Sequence, residues 1–203
     1  MLQNENNDDK IYWENYYKKK TKLQEASLFA KWIKKQSYLD IKSIIDVGCG
    51  SGRDTYYLSN PEPGWSIERV VGLDCAVKPK DKDNATFIKD DVKNISGKYD
   101  LLYSRFSLHS IRVEEEDRLL EYARTNCKFI AIECRTNNDK LNNGKERIET
   151  SYAKAHYRRF VNLDELSAKL DKLGFKILYK KESINFAPYK DQRPSCLRIV
   201  ASI

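Results

Sequence analysis

Between Ser43 and Glu133 the chain repeats one pattern five times: a short apolar run, followed by a helix-like or irregular polar stretch. The runs are Ser43 to Val47, Arg69 to Leu73, Thr86 to Ile88, Tyr99 to Tyr103 and Phe129 to Glu133. Each is dense enough in apolar residues to be buried on both faces, which is how strands of a parallel sheet read when helices cover both sides. Strand and helix in alternation predict an α/β fold. With 203 residues and 40% apolar content, one sizeable core and one domain are expected.

The ends of the chain extend this frame. Lys10 to Thr21, with Trp13, Tyr16 and Tyr17 on one side, and Leu23 to Gln36, with Phe29, Ala30 and Ile33 at helical spacing, predict two leading helices. Residues 1–40 are read as helices covering the cleft of a core that spans 41–203. Near the C-terminus, Asn162 followed by Glu165 looks like a capping box, predicting a helix ended by Gly174. Phe175 to Tyr179 and Cys196 to Ser202 then predict an antiparallel pair closing the sheet edge, since no crossover helix joins them. Arg135 to Arg159 is long, polar and aperiodic, the mark of a functional loop, here a substrate loop near 135–160.

Composition excludes several classes. No run of eighteen apolar residues occurs and Met1 to Lys10 is Asn/Asp-rich, so a cytoplasmic chain without membrane insertion is expected. Five cysteines, never spaced as C-x-x-C, indicate neither a disulfide framework nor a zinc site. The net charge of +7 comes from lysines interleaved with acids, with Lys18 to Lys20 as the one dense run. Solvated helix faces account for that pattern, so nucleic acid is not the expected partner, whereas a small acidic substrate is.

The segment Ser43 to Leu58, SIIDVGCGSGRDTYYL, carries glycines at 48, 50 and 52. A dinucleotide fingerprint would need glycine at 53, where this chain has Arg53. Asp46, two residues before the first glycine, would repel a diphosphate and attract a positive amine. Backbone N–H groups from Gly48 to Gly52 would take a carboxylate at the helix start.

The run D-V-G-C-G-S-G resembles the first motif of class I S-adenosylmethionine-dependent methyltransferases, and three more motifs follow in order. Asp74 in VVGLDCA stands where that family binds the ribose hydroxyls with one carboxylate. Asp90 and Asp91 in FIKDDVKN stand where it contacts the adenine amine, with Val92 against the ring. YDLLYSRFSLHSI supplies the fourth strand and the segment facing the methyl group. The resemblance implies a Rossmann-like, seven-stranded, mostly parallel sheet with an antiparallel C-terminal strand. It implies S-adenosylmethionine as cofactor and S-adenosylhomocysteine as product, with contacts from Asp46, Gly48, Cys49, Gly50, Arg53, Asp74, Cys75, Asp90, Asp91, Val92, Ser104 and Arg105. Trp13 and Tyr17 would cover the sulfonium by cation–π contact, or would simply be core. No metal is expected, the acids being accounted for by the cofactor.

YWENYY, YSRFSLHSI, HYRRFVNLDEL and NFAPYKDQRPSCLRIV further resemble short bacterial methyltransferases associated with capsular or other surface-polysaccharide clusters, over roughly Tyr12 to Ala201. EASLFAKW departs from those relatives, which tend to carry proline there. Methyl transfer needs an unprotonated nucleophile about 3 Å from the methyl carbon, so an alcohol would need a base. His109 is the candidate base, with a histidine that fixes its loop as the alternative. His156 and Tyr157 open the segment that would orient substrate. Arg105, Arg135, Arg158, Arg159 and Arg193 suit capture of phosphate or carboxylate, against the alternative that Arg158 and Arg159 pair with the acids of Asn162 to Asp171 or coat the surface. The expected reaction is O-methylation of an anionic sugar, phosphate or phosphoramidate precursor. An RNA or protein methyltransferase and a non-catalytic cofactor-binding protein are the competing functions.

Overall fold

The computed structural model describes residues 2–19, 23–145, 147–150 and 153–203. The five apolar runs form β1 (Ser43–Val47), β2 (Arg69–Asp74), β3 (Ala85–Lys89), β4 (Tyr99–Arg105) and β5 (Cys127–Arg135). They pair in parallel in the order β3-β2-β1-β4-β5. A short hairpin follows, β6 (Arg147–Thr150) against β7 (Ala153–Tyr157). Then β8 (Lys176–Ser183) and β9 (Cys196–Ser202) complete the seven-stranded sheet, with β9 antiparallel to β5 and to β8.

Among the described residues, five α-helices accompany the strands: α1 (Leu2–Lys18), α2 (Leu28–Ile33), α3 (Arg53–Ser59), α4 (Val113–Asn126) and α5 (Leu163–Lys172). Alternate strand residues divide between two cores. Ile45, Val47, Leu102, Ile130 and Ile132 pack with Leu119, Leu120 and Ala123 of α4 and Leu166 and Leu170 of α5. Ile44, Leu101, Tyr103, Ala131 and Val200 pack with Phe29, Ala30 and Ile33 of α2 and Leu58 of α3 on the other face. Both faces are therefore covered, which is why the central strands read as continuous apolar runs.

Three expected boundaries move. The first helix starts at Leu2 rather than Lys10 and ends at Lys18, while Lys20 and Thr21 lie outside the described residues. The second is six residues long, Leu28–Ile33, because Ser27 caps it: its Oγ accepts the Ala30 N–H at 3.0 Å, and its own N–H and Oγ both donate to Asp54 at 2.7 Å. That tie holds the preceding residues off the helical path. The segment 135–159 is not all loop, since it contains the β6–β7 hairpin. RIET and AKAHY lie apart from the main sheet and show no apolar run by which periodicity would mark them.

The sheet's far half is fastened by a buried charge cluster. Glu133 is fully buried; its Oε1 accepts from Arg105 Nε at 2.8 Å and its Oε2 from Arg198 Nε at 2.7 Å. Removing the carboxylate strands two guanidinium groups, so Glu133→Ala is expected to lower stability by about 3 to 5 kcal/mol in urea unfolding. A loss below about 1 kcal/mol would show that the two arginines find water or other partners.

Candidate active site

The strand order reverses between β1 and β4, and ligands of open α/β sheets bind outside the carboxyl ends of strands at such a reversal. Two residues set the shape of that edge. Gly48 has φ +74° and Gly50 φ +54°, and a Cβ would run into Ser107 at the first and the Tyr17 ring at the second. Ser107 Oγ donates to the Val47 carbonyl at 2.8 Å, joining the end of β1 to the segment after β4.

The turn's N–H groups are largely engaged within the protein. Those of Gly48 and Cys49 donate to Leu73 O at 2.8 and 3.1 Å, that of Gly52 to Cys49 O at 3.0 Å, and that of Gly50 to Asp74 Oδ2 at 2.9 Å. The expectation that this turn offers its amides to a ligand carboxylate is corrected accordingly: β2 has already taken three of them. Asp46 is also redirected. It is 2% exposed, and its Oδ2 accepts from Thr55 Oγ1 at 2.6 Å. Burial first, and then Asp54, push its pKa up to about 8, so near neutral pH it is a mostly protonated strut between β1 and α3 rather than an anion facing a ligand amine.

Asp74 is the acid that remains at the crevice. It is 9% exposed at the end of β2, and besides Gly50 it accepts the Ala76 N–H at 2.8 Å. Burial raises its pKa, and the three backbone donors of Gly50, Ala76 and Val77 oppose that rise. Asp90 is exposed and accepts from Asp91 N–H and Asn94 Nδ2, while Asp91 caps the short turn Val92–Asn94 through the Lys93 N–H at 3.0 Å. Val92 packs at the edge of the core under α4. Cys49 lies against Phe87, and burial and Asp74 push the Cys75 thiol up to about 11. Arg53 donates to Gln24 Oε1 at 2.8 Å. Ser104, at the carboxyl end of β4, has a fully buried hydroxyl with no hydrogen-bond partner. An open groove of about 430 Å³ borders the turn at Ser51 and Tyr56, outside the crevice that Tyr17 covers.

Helix α1 forms the roof. Trp13 stacks on Tyr17 with centroids 6.2 Å apart, and Tyr12 stacks on His156 at 4.2 Å and 4°. Asp9 Oδ1 accepts the Tyr157 N–H at 2.9 Å, and Glu14 pairs with Lys89 at 2.9 Å, so the helix is fastened on both sides of the cleft.

Beneath that roof lie both histidines. His109 is 2% exposed, and its Nδ1 accepts the Arg135 N–H at 3.4 Å, which places its proton on Nε2. Burial, and then the charges of Arg158, Arg135 and Arg159, hold its pKa well below the ordinary range. Its carbonyl receives the Arg159 N–H at 3.0 Å. His109 therefore ties the hairpin's exit to the segment after β4. Of the five candidate arginines, Arg105 pairs with Glu133, Arg135 with both oxygens of Asp139 at 3.0 and 2.9 Å, and Arg159 with Glu116. The acid that Arg159 meets is on α4, not in Asn162 to Asp171. Arg193 is exposed, with Nη1 at 3.5 Å from Asn185 Oδ1. Arg158 keeps a buried Nε–H with no acceptor.

A family model described as a methyltransferase domain matches residues 12–180. The chain belongs to that family. Among solved structures, this methyltransferase is similar to an S-adenosylmethionine-dependent methyltransferase of Clostridium acetobutylicum, at TM-score 0.61 and 13% identity over 87% of this chain and 91% of that one. The 1,6-didemethyltoxoflavin-N1-methyltransferase of Burkholderia thailandensis superposes at TM-score 0.62 and 18% identity, covering 85% and 76%. The glycopeptide N-methyltransferase MtfA does so at 0.63 and 13%, covering 88% and 95%. At these identities the likeness is one of fold. No curated protein matched the sequence. Among the described residues of the methyltransferase, no helix is long and apolar enough to cross a membrane.

Sequence reasoning missed three residues that shape the site. Ser107 closes on Gly48, and its only signal is its place after β4. Asp54 collects Ser27 and the Tyr103 hydroxyl, the latter at 2.8 Å, from elements far apart in the chain. Arg198 sits inside an apolar strand, where it reads as an interruption until Glu133 is seen opposite it.

Asp46 makes a pH test. Its folded pKa of about 8 lies above the ordinary 3.8, so the folded methyltransferase binds more protons between those values. Its contribution is complete below the unfolded pKa and is lost as pH rises through the folded one. The urea midpoint of the wild type is expected to fall relative to Asp46→Asn as pH is raised from about 5 to about 9. A difference independent of pH would mean that Asp46 ionises as an ordinary carboxyl group.

Proposed function

We propose that this chain transfers a methyl group from S-adenosylmethionine to an anionic small molecule, releasing S-adenosylhomocysteine. The observation that carries the reading is the glycine turn pinned to Asp74 at the reversal of strand order. The residues there fit the cofactor. Asp74 offers a carboxylate suited to a diol, Ser104 an orphaned buried hydroxyl, and Tyr17 and Trp13 aromatic faces suited to a cation. Asp91 and Val92 stand beyond the end of β3, on the side where a purine would lie. Bound there, the cofactor supplies a methyl group activated on a sulfonium.

The acceptor side favours an oxygen that is already ionised. His109 gives its lone pair to the Arg135 N–H, and His156 Nε2 lies 3.2 Å from the donor Nη2 of Arg158. The His109 imidazole therefore turns its lone pair toward a protein donor and is not placed to take a hydroxyl proton. Forming an O–C bond from a phosphate, phosphoramidate or carboxylate oxygen requires no such removal. Arg158, whose charge acts on His109 and which has no carboxylate partner among the described residues, suits the same anion. Precursors of surface polysaccharides are the class that the sequence resemblance adds to this chemistry.

The test is a mass-spectrometric transfer assay with isotope-labelled S-adenosylmethionine across nucleotide sugars, phosphorylated and phosphoramidate precursors, uronic acids and bulk RNA. Label on an anionic small molecule is expected. Label on RNA alone, or cofactor binding without turnover on any acceptor, contradicts the reading. Asp74→Ala is expected to weaken S-adenosylhomocysteine binding roughly tenfold to hundredfold in calorimetry, through lost charge-assisted hydrogen bonds. In the same assay His109→Ala keeps appreciable turnover, and its complete inactivation with cofactor binding intact would restore a proton-accepting role.

A further inference from the structure

Burying charge without a counter-charge, or a donor without an acceptor, opposes folding, and most proteins avoid it. Arg158 does both. Its Nε–H is buried and has no partner, and Nη2 lies 3.2 Å from His156 Nε2. No carboxylate of the described residues comes within 4.0 Å of its guanidinium, although Arg135 and Arg159, on either side of it, each have one. The arginines around it are neutralised, and this one is left open.

We infer that Arg158 is the anchoring group for an oxyanion of the acceptor, a phosphate or a carboxylate, received along the edge of its guanidinium. Arginine presents parallel N–H donors that match either group. The Tyr12 ring, stacked on His156, roofs this position, and the Asp9 contact with the Tyr157 N–H fastens the roof beside it. The same helix carries Tyr17 onto Gly50, so one element closes over both the anion site and the cofactor crevice. Calling this anion the acceptor's rests on the methyl-transfer reading above, while the anion site itself stands on the geometry of Arg158.

The experiment is calorimetric titration of the full chain with inorganic phosphate and with acetate, alongside S-adenosylhomocysteine, for wild type, Arg158→Gln and Arg158→Lys. Wild type is expected to bind one of the two anions saturably, and the tighter one identifies the anion class. Arg158→Gln is expected to weaken that binding roughly tenfold or more, with Arg158→Lys in between, because a lysine keeps the charge and loses the fork. S-adenosylhomocysteine affinity should stay within about twofold of wild type, the crevice being built from other residues. The thermal midpoint of anion-free Arg158→Gln should match or exceed that of wild type, since a buried unpaired donor is removed.

No saturable anion binding by wild type, or wild-type anion affinity in Arg158→Lys and Arg158→Gln, overturns the inference. A lowered midpoint in Arg158→Gln with anion affinity unchanged makes Arg158 structural and overturns it too. Anion binding lost on substitution while wild type fails to bind S-adenosylhomocysteine supports the anion site and removes the methyl-transfer reading, so the two failures are separable.

Discussion

The hydrogen bond from Gly50 N–H to Asp74 Oδ2, 2.9 Å long, joins the turn after β1 to the end of β2, and the rest of the site is arranged around it. Leu73 O reinforces the join by accepting from Gly48 and Cys49 in the same turn. Glycine adopts the positive φ of Gly48 and Gly50 at little cost but leaves the turn many alternatives. Here the neighbouring strand over-determines it. Because the donors come from the turn and the acceptor sits on β2, the crevice keeps its shape only while β1 and β2 keep their register, Asp46 opposite Gly72 and Val47 opposite Leu73. The shape of the crevice and the sheet pairing are thus one constraint.

The N-terminal helix brings a second kind of order. Its contacts are spread: Asp9 on the Tyr157 backbone, Tyr12 on His156, Glu14 on Lys89, Tyr17 on the glycine turn. Among the described side chains of the helix, none belongs to the two main cores. Contacts of this sort open at lower free energy than the sheet does. A roof held by polar and aromatic contacts, over a floor held by strand pairing, suits a site whose ligands must enter and leave.

Much of the fold was legible in the sequence because parallel strands buried on both faces cannot be polar. Ile44 and Ile45 in one run, and Leu101 and Leu102 in another, each send adjacent residues to opposite cores, and only a doubly covered sheet permits that. The hairpin Arg147–Tyr157 was hidden for the converse reason: its strands are short, polar and outside the main sheet. Of the site, the glycine turn stood out by its spacing and Asp74 by the resemblance of VVGLDCA to a family motif, and the structure brings the two together at 2.9 Å. What hydrogen-bonds to what was not legible. Asp46 is turned to Thr55 within its own segment, whereas His109 receives the N–H of Arg135 and Arg159 meets Glu116, 26 and 43 residues away along the chain. The arginines show it best, since five similar residues in loops became three neutralised pairs, one exposed side chain and one buried donor without an acceptor.

The most direct test of the account is a crystal structure of the full chain grown with S-adenosylhomocysteine. The account predicts the adenosine ribose on the Asp74 carboxylate, with the Tyr17 ring moved off Gly50 and the turn after β1 unchanged. Ligand seated instead in the groove beside Ser51 and Tyr56, with Tyr17 still on Gly50, would contradict it.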